Sequence, residues 1–372
     1  MFPNDEDYLR HALALGRRHL GLTWPNPSVG CVIVAHEGAN ARIVGRGVTQ
    51  RGGAPHAETM ALSQAGSLAK GAQAYVSLEP CAHHGRTPPC AQALIDAGIV
   101  RVIYPFNDPD DRVNGKARKI LEDNNIEVET GLCEAQAKQD LAGFISRVKL
   151  ARPFITLKLA ISKDGMIAQK PGETTKITGP LAHARSHLMR AKTDAIMVGI
   201  NTVLADDPQL TCRLEGLEDR SPVRIIVDTH GRLPLASNLV KTAHQPPVWL
   251  LVGDSVSEEK TAPLEHAGVT IIKCPANKDR VDFKTAFKML GDAGLTSIVV
   301  EGGAEIANTL ITEGFTDEVI LMQAPMTLGS QGLSALGDLP LEAITKGEKY
   351  QPIEQMTLAD DQFTRYIRHT TN

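Results

Sequence analysis

His56-Ala57-Glu58, then Pro80-Cys81 and, after eight intervening residues, Cys90, constrain this chain more than any other stretch. One histidine and two cysteines offer three ligands suited to zinc, and three protein ligands leave the fourth tetrahedral position to a water. An open position points to catalysis rather than scaffolding. Bound zinc draws the pKa of its water towards neutrality, and a carboxylate beside the histidine can shuttle the proton which that water gives up. Glu58 is that carboxylate. A structural zinc knot would want a fourth ligand, and His83 and His84 are near enough in sequence to supply it. Such a knot gives no reason for Glu58 or Pro80. The fold must in either case bring segment 56–58 to segment 80–90.

The surrounding segments alternate between strand and helix signals. Asn4 or Asp5 caps a helix running to about Leu20, and Pro25 and Pro27 keep the next stretch from being helical. Val29 to Ala35 reads as a buried strand, a turn falls around Gly38, and Arg42 to Val48 returns as the second strand of a hairpin. His56 opens a helical run, where the positive end of the backbone dipole favours negative groups. Ala74 to Leu78 is a strand that delivers Glu79-Pro80-Cys81 at its end. Pro88-Pro89 leads into another helix and places Cys90 near its amino end, where a thiolate is stabilised. With a further strand at Val100 to Tyr104, the order predicts a sheet sandwiched by helices.

At 372 residues the chain has room for about two domains, and the pattern restarts near residue 150. Pro153 to Ala160 alternates like a strand and runs into the turn Ser162-Lys163-Asp164-Gly165. Strands at Ala195–Gly199, Val223–Asp228, Val248–Val252, Val269–Lys273 and Ile298–Glu301 are spaced for a largely parallel α/β sheet. Glu318 to Met322 reads as one more strand, Ala324 to Gly329 as a loop, and Thr364 to Arg368 as a structural close. Neither G-x-G-x-x-G nor a Walker loop follows any of these strands, so a Rossmann or P-loop reading lacks its defining turn. Gly302-Gly303, directly after an apolar strand, lets backbone N–H groups approach a phosphate; a tight strand-to-helix turn would ask for the same glycines.

Composition narrows the partners. A formal net charge of -4 with no run of five or six like charges advertises no polyanion-binding surface, so no nucleic-acid partner is expected. The first residues are acidic where a signal peptide would be basic, and no apolar stretch is long enough for a membrane span. A cytoplasmic protein is expected. The six cysteines are scattered, and only Cys81 and Cys90 stand at ligand spacing; Cys31, in the apolar run Gly30 to Val34, reads as core.

H-x-E followed by P-C and a second cysteine is the pattern of zinc-dependent nucleobase deaminases, in which the cysteines stand two residues apart. The wider gap here resembles the pyrimidine deaminases of riboflavin biosynthesis, usually fused to a reductase. Gly199 to Arg213 and Val299 to Asn308 resemble that reductase, whose fold is similar to dihydrofolate reductase and which uses NADPH. The resemblance covers almost the whole chain. It implies an α/β protein with a cytidine-deaminase-like α/β/α sandwich over residues 1–150 and a dihydrofolate-reductase-like α/β domain over 151–372. It also implies zinc on His56, Cys81 and Cys90, with Glu58 catalytic. The activities implied are hydrolytic deamination of 2,5-diamino-6-(5-phosphoribosylamino)pyrimidin-4(3H)-one and then NADPH-dependent reduction of its ribosyl group to ribityl.

By the same resemblance Asn26 and His83, with the loop Gly85-Arg86-Thr87, face the substrate; a turn-holding asparagine and a solvated polar loop are the plainer readings. Ala160, Thr202, Asp206, Thr229, Gly303, Ala304, Glu305, Ile306, Ala307, Asn308 and Thr309 would bind the nicotinamide cofactor, as would Lys176, although a tryptophan is usual at that position. Thr174, Arg190, Leu210, Arg213 and Glu301 would face the substrate, with Lys158 as a further polar contact. A guanidinium grips a ribose phosphate bidentately; arginines on a helix surface are the plainer reading of Arg190 and Arg213. Thr49 stands where the family often has histidine, and Ala117 where a second glycine is common. The implied partners are a small pyrimidine ribotide and further copies of the chain, as a dimer or tetramer. Two rivals remain: a deaminase of a free or tRNA base with a binding module behind it, against which the charge balance argues, and a non-catalytic protein with structural zinc.

Overall fold

Asn4 opens the first helix, α1 (Asp5–Gly16), with a reciprocal cap: its side chain accepts from the Asp7 N–H, and the Asp7 carboxylate accepts from the Asn4 N–H. Beyond Gly16 the chain tightens to a 3-10 turn, Arg17–His19, so the α-helix stops short of Leu20. The computed structural model describes residues 4–37, 40–82, 88–170, 172–277 and 280–369, and the chain divides into two compact units, Met1–Arg152 and Pro153–Asn372.

In the first unit β1 (Gly30–Glu37) and β2 (Asn40–Val48) pair antiparallel, Gly30 opposite Val48. The turn expected around Gly38 lies outside the described residues. Strands β3 (Gln73–Val76), β4 (Arg101–Tyr104) and β5 (Glu127–Thr130) complete a sheet of order β2-β1-β3-β4-β5, in which β3, β4 and β5 run parallel. Alternation along β1 divides the core. Val32 and Val34 pack with Tyr8, Leu9 and Ala12 of α1, whereas Cys31 and Ile33 pack with Ala57 and Ala61 on the other side. Both faces of the sheet are therefore covered, as the sandwich reading expects.

The helix α2 (Ala57–Ala65) lies unusually close to β2 because both surfaces are small. Gly45 and Gly47 share one face of β2, and a Cβ on Gly47 would overlap the Ala57 carbonyl oxygen, as one on Gly45 would overlap that of Ala61. Ala57, Ala61 and Ala65 supply the matching stripe, one turn apart. Behind the site, the buried Glu79 carboxylate accepts the backbone N–H groups of Asp108 at 2.9 Å, Gly115 at 2.9 Å and Ala117 at 3.1 Å. This ties the loop 108–117 to the residue that precedes Pro80-Cys81.

The second unit is built on a nine-stranded sheet. Its order is Thr270–Cys274, Val248–Gly253, Val223–Val227, Ala195–Gly199, Ser297–Val300, Phe154–Ile161, Glu318–Gln323, Asp361–Arg368 and Tyr350–Leu358. All neighbours run parallel except at the end, where Asp361–Arg368 pairs antiparallel with both Glu318–Gln323 and Tyr350–Leu358. The central strands are buried on both faces, which explains their continuous apolar runs. Tyr350–Leu358 is an edge strand of mostly polar, solvent-facing residues, and its sequence carries no strand signal of that kind.

Because α2 rests on glycine, Gly47→Ala should destabilise the first unit by about 1–3 kcal/mol, the usual cost of overpacking. The denaturation midpoint of that unit measures it. An unchanged midpoint would mean that helix and strand have room to spare.

Candidate active sites

Three separate segments deliver the first site. His56 is the cap residue before α2, Cys81 follows the end of β3, and Cys90 is the first residue of α3 (Cys90–Asp96). His56 Nδ1 stands 3.6 Å from Cys81 Sγ and 3.4 Å from Cys90 Sγ, and the three atoms all lie within 4.8 Å of one another. Zinc bonded to sulfur and nitrogen at its usual lengths in a tetrahedron separates those ligands by about 3.6 Å. The donors thus fit a single zinc ion. Among the described residues no fourth His, Cys, Asp or Glu joins them. Cys90 donates its backbone N–H to Cys81 Sγ at 3.2 Å, and a hydrogen bond from the Cys90 thiol lowers the Cys81 thiol from its ordinary value.

Glu58, in the first turn of α2, is 3% exposed. Burial pushes its carboxyl up to about 7, with the Cys81 charge adding to the effect, while His56 and a hydrogen bond with Cys90 oppose it. The carboxyl therefore adjoins the metal-ligand cluster, as the H-x-E spacing requires.

The remaining first-unit residues are distributed less simply. The Asn26 side-chain amide donates to the Gly53 carbonyl at 2.9 Å, holding the turn that leads into His56. Thr49 is buried, and its hydroxyl pairs with the main chain of Val29. Ala117 is packed in the core while its N–H goes to Glu79. His83, with the rest of segment 83–87, lies outside the described residues.

In the second unit a cavity of about 830 Å³ opens at the carboxyl ends of the parallel strands. Thr202, Asp206, Thr229, Gly303, Ala304, Glu305, Ile306 and Thr309 line it, as does Thr174, whose hydroxyl donates to Asp206. Gly302 and Gly303 have φ of 99° and 85°, a conformation that favours glycine, and they turn the strand Ser297–Val300 into the helix Ala304–Thr312. Ala160, Lys176, Ala307 and Asn308 are absent from the cavity wall. Helical periodicity explains two of them: Ala307 is turned into the core, and the Asn308 amide donates to the Leu336 carbonyl at 2.8 Å. Lys176 lies within electrostatic reach of His183. The sequence reading missed Asn201, His230, Arg232 and Arg280, exposed or half-exposed polar residues whose types alone give no sign that they share a cavity.

Beside the Gly-Gly turn, Glu301 receives a two-pronged hydrogen bond from Arg190, Nε to Oε1 and Nη2 to Oε2, both at 2.7 Å. Lys158 Nζ lies 4.0 Å from the same carboxylate. Burial would raise the Glu301 carboxyl, but the Arg190 charge and hydrogen bonds outweigh it and hold the group at about 2. Burial lowers Lys158 from its ordinary value, against the pull of Glu301. Arg190 also donates to the Thr211 carbonyl at 3.0 Å. Leu210, with φ of 56°, packs its side chain into the core, which leaves only its backbone to meet a ligand. Buried Arg224 supports that loop, donating to the carbonyls of Gln209, Thr242 and Pro246.

Fold and site together define a cytidine-deaminase-type zinc-binding domain joined to a reductase domain. Residues 3–105 match the cytidine and deoxycytidylate deaminase zinc-binding region, and residues 153–360 match the RibD C-terminal domain. The chain is 38% identical to the riboflavin biosynthesis protein RibD of Aquifex aeolicus over 96% of each chain. It is 39% identical to that of Escherichia coli over 90% of this chain and 94% of the other. The solved structure of Acinetobacter baumannii RibD, form 1, superposes with a TM-score of 0.86 at 35% identity, covering 98% of this chain and 99% of that one. The chain belongs to the RibD family, bifunctional enzymes of riboflavin biosynthesis that pair a zinc-binding deaminase with an NADPH-dependent reductase. The donor triad fits zinc, and the cavity with its Gly-Gly turn fits a dinucleotide.

Arg190→Met would leave the buried Glu301 carboxylate with Lys158 alone, and should cost about 3–5 kcal/mol of second-unit stability by chemical denaturation. In the wild type the folded carboxyl is depressed, so the pair's contribution is full above the ordinary carboxylate range and fades only as pH falls towards about 2. A variant as stable as the wild type would show that the pair is not needed to keep Glu301 buried.

Proposed function

We propose that residues 1–150 form a zinc-dependent pyrimidine deaminase and residues 151–372 an NADPH-dependent reductase, acting in turn on one ribotide. The first would hydrolyse the 2-amino group of 2,5-diamino-6-(5-phosphoribosylamino)pyrimidin-4(3H)-one, and the second would reduce the ribosyl group of the product to a ribityl chain. A Thermotoga maritima protein of known structure, 29% identical with a TM-score of 0.83, is described as a diaminohydroxyphosphoribosylaminopyrimidine deaminase and 5-amino-6-(5-phosphoribosylamino)uracil reductase. The observation that carries the reading is the convergence of His56, Cys81 and Cys90 beside the buried Glu58.

Zinc on His56, Cys81 and Cys90 supplies Lewis acidity, and NADPH supplies the hydride. Glu58 takes one proton from the attacking water and gives it to the ring nitrogen beside C2, then takes the proton of the newly added hydroxyl and gives it to the departing amine, so that ammonia leaves and a carbonyl remains. Asn26 and His83 orient the pyrimidine. In the second unit Thr202, Asp206, Thr229, Gly303 to Ile306 and Thr309 hold the cofactor. Lys158, Thr174, Glu301 and the Leu210 backbone face the sugar. Arg190 is committed to Glu301, so exposed Arg213 offers the guanidinium for the ribotide phosphate.

Among the described residues no helix is long and apolar enough to cross a membrane. We place the enzyme in the cytoplasm as a dimer or tetramer acting on a small pyrimidine ribotide.

Glu58→Gln should lower deamination by at least about a hundredfold while the purified protein still carries an equimolar amount of zinc by elemental analysis. Deamination at the wild-type rate would contradict the role given to Glu58. Loss of zinc together with activity would make Glu58 a residue that retains the metal instead.

A further inference from the structure

The cavity of the second unit carries a cation that neither the Glu301 cluster nor the Gly-Gly turn engages. Of the basic side chains on its wall, Arg232 is occupied, with Nε 3.7 Å from the buried Asp228 carboxylate and Nη2 3.3 Å from the Asn201 side-chain oxygen. Arg280 is different. It is exposed, it lies on the short strand Arg280–Val281, and among the described residues it makes no ion pair. Its guanidinium donates to the Thr309 hydroxyl at 3.4 Å, and the N–H of the next residue, Val281, donates to the Thr229 hydroxyl at 3.3 Å. The Thr309 hydroxyl spends its own hydrogen on the Glu305 carbonyl at 2.8 Å and so serves to hold the guanidinium, whereas the Thr229 hydroxyl only accepts from Val281 and keeps its hydrogen for a ligand. A phosphate monoester asks for that combination: a planar cation for two of its oxygens and a neutral donor for the third.

Position says which phosphate. Thr309 lies on the helix Ala304–Thr312, six residues beyond Gly303, so it is displaced from the Gly-Gly turn by about 9 Å along the helix axis. The Gly302-Gly303 turn and the first helical N–H groups suit the pyrophosphate that every nicotinamide dinucleotide carries. A second phosphate-binding point at that distance has no use for NADH. NADPH alone carries a further phosphate, on the 2′ oxygen of its adenosine ribose.

We infer that Arg280, held in place by Thr309 and joined by the Thr229 hydroxyl, grips the 2′-phosphate of NADPH and sets the preference for NADPH over NADH. The inference rests on the reading of this cavity as the dinucleotide site, and the test separates the two. Affinities of wild-type protein and Arg280→Gln for NADP+, NAD+ and 2′,5′-ADP would be measured by isothermal titration. The variant should bind NADP+ and 2′,5′-ADP about ten- to a hundredfold more weakly, the loss expected for a charge-assisted contact, with NAD+ binding unchanged. Equal weakening of NAD+ and NADP+ would assign Arg280 to the pyrophosphate and overturn the inference. Undiminished NADP+ binding would overturn it too, and move attention to Arg232. Wild-type protein that bound neither dinucleotide would sink the cavity assignment itself.

Discussion

The first unit depends on how closely one helix can approach one strand. His56 and Glu58 enter the site only because α2 lies against the glycine face of β2, where Gly45 and Gly47 leave no side chain between the two backbones. A methyl group there would displace the helix start, and with it one metal donor and the acid–base carboxyl together. From the other side, Glu79 fixes the strand end that delivers Cys81, its carboxylate satisfied by three backbone N–H groups of a neighbouring loop. Donors that belong to different segments thus reach a common point without any of them being free to relax away. The amino ends of α2 and α3 add a field that favours the negative charge two thiolates and a carboxylate bring.

A different device organises the second unit. Its strands end on one side of a mostly parallel sheet, and the residues that follow Ala195–Gly199, Val223–Val227 and Ser297–Val300 supply most of the cavity's polar wall. Glu301 stands at the hinge of this arrangement, between a buried strand and the Gly-Gly turn. Without Arg190 its charge would be untenable there, because burial alone would force the carboxyl to keep its proton. With Arg190 it becomes a fixed negative point beside Lys158, and the same arginine reaches the Thr211 carbonyl to anchor the loop that carries Leu210 and Arg213. Arg224 serves that loop from beneath with neutral acceptors only.

Much of this was legible in the sequence, and the rest was hidden for physical reasons. His56, Glu58, Cys81 and Cys90 could be read because zinc chemistry demands those residue types, and the central strands because burial on both faces demands unbroken apolar runs. In sequence the run from Gly303 to Thr309 resembles one continuous binding segment, yet helical periodicity turns Ala307 and Asn308 away from the cavity. Tyr350–Leu358, an edge strand facing water, lacks the apolar signal that betrays its neighbours. Gly45 and Gly47 show nothing locally, since their purpose is a contact with a helix ten residues further on. Arg280 is an exposed arginine in a polar stretch, and only the folded chain brings it to Thr309.

The most direct test of the two-site account is the mass of the product formed by zinc-loaded protein from the diaminopyrimidine ribotide, with and without NADPH. Replacement of one amino group by oxygen in the absence of cofactor, and the gain of two further hydrogens when NADPH is added, is the result the account predicts. An unchanged substrate without cofactor would contradict the deaminase assignment, and a deaminated product that NADPH leaves unaltered would contradict the reductase one.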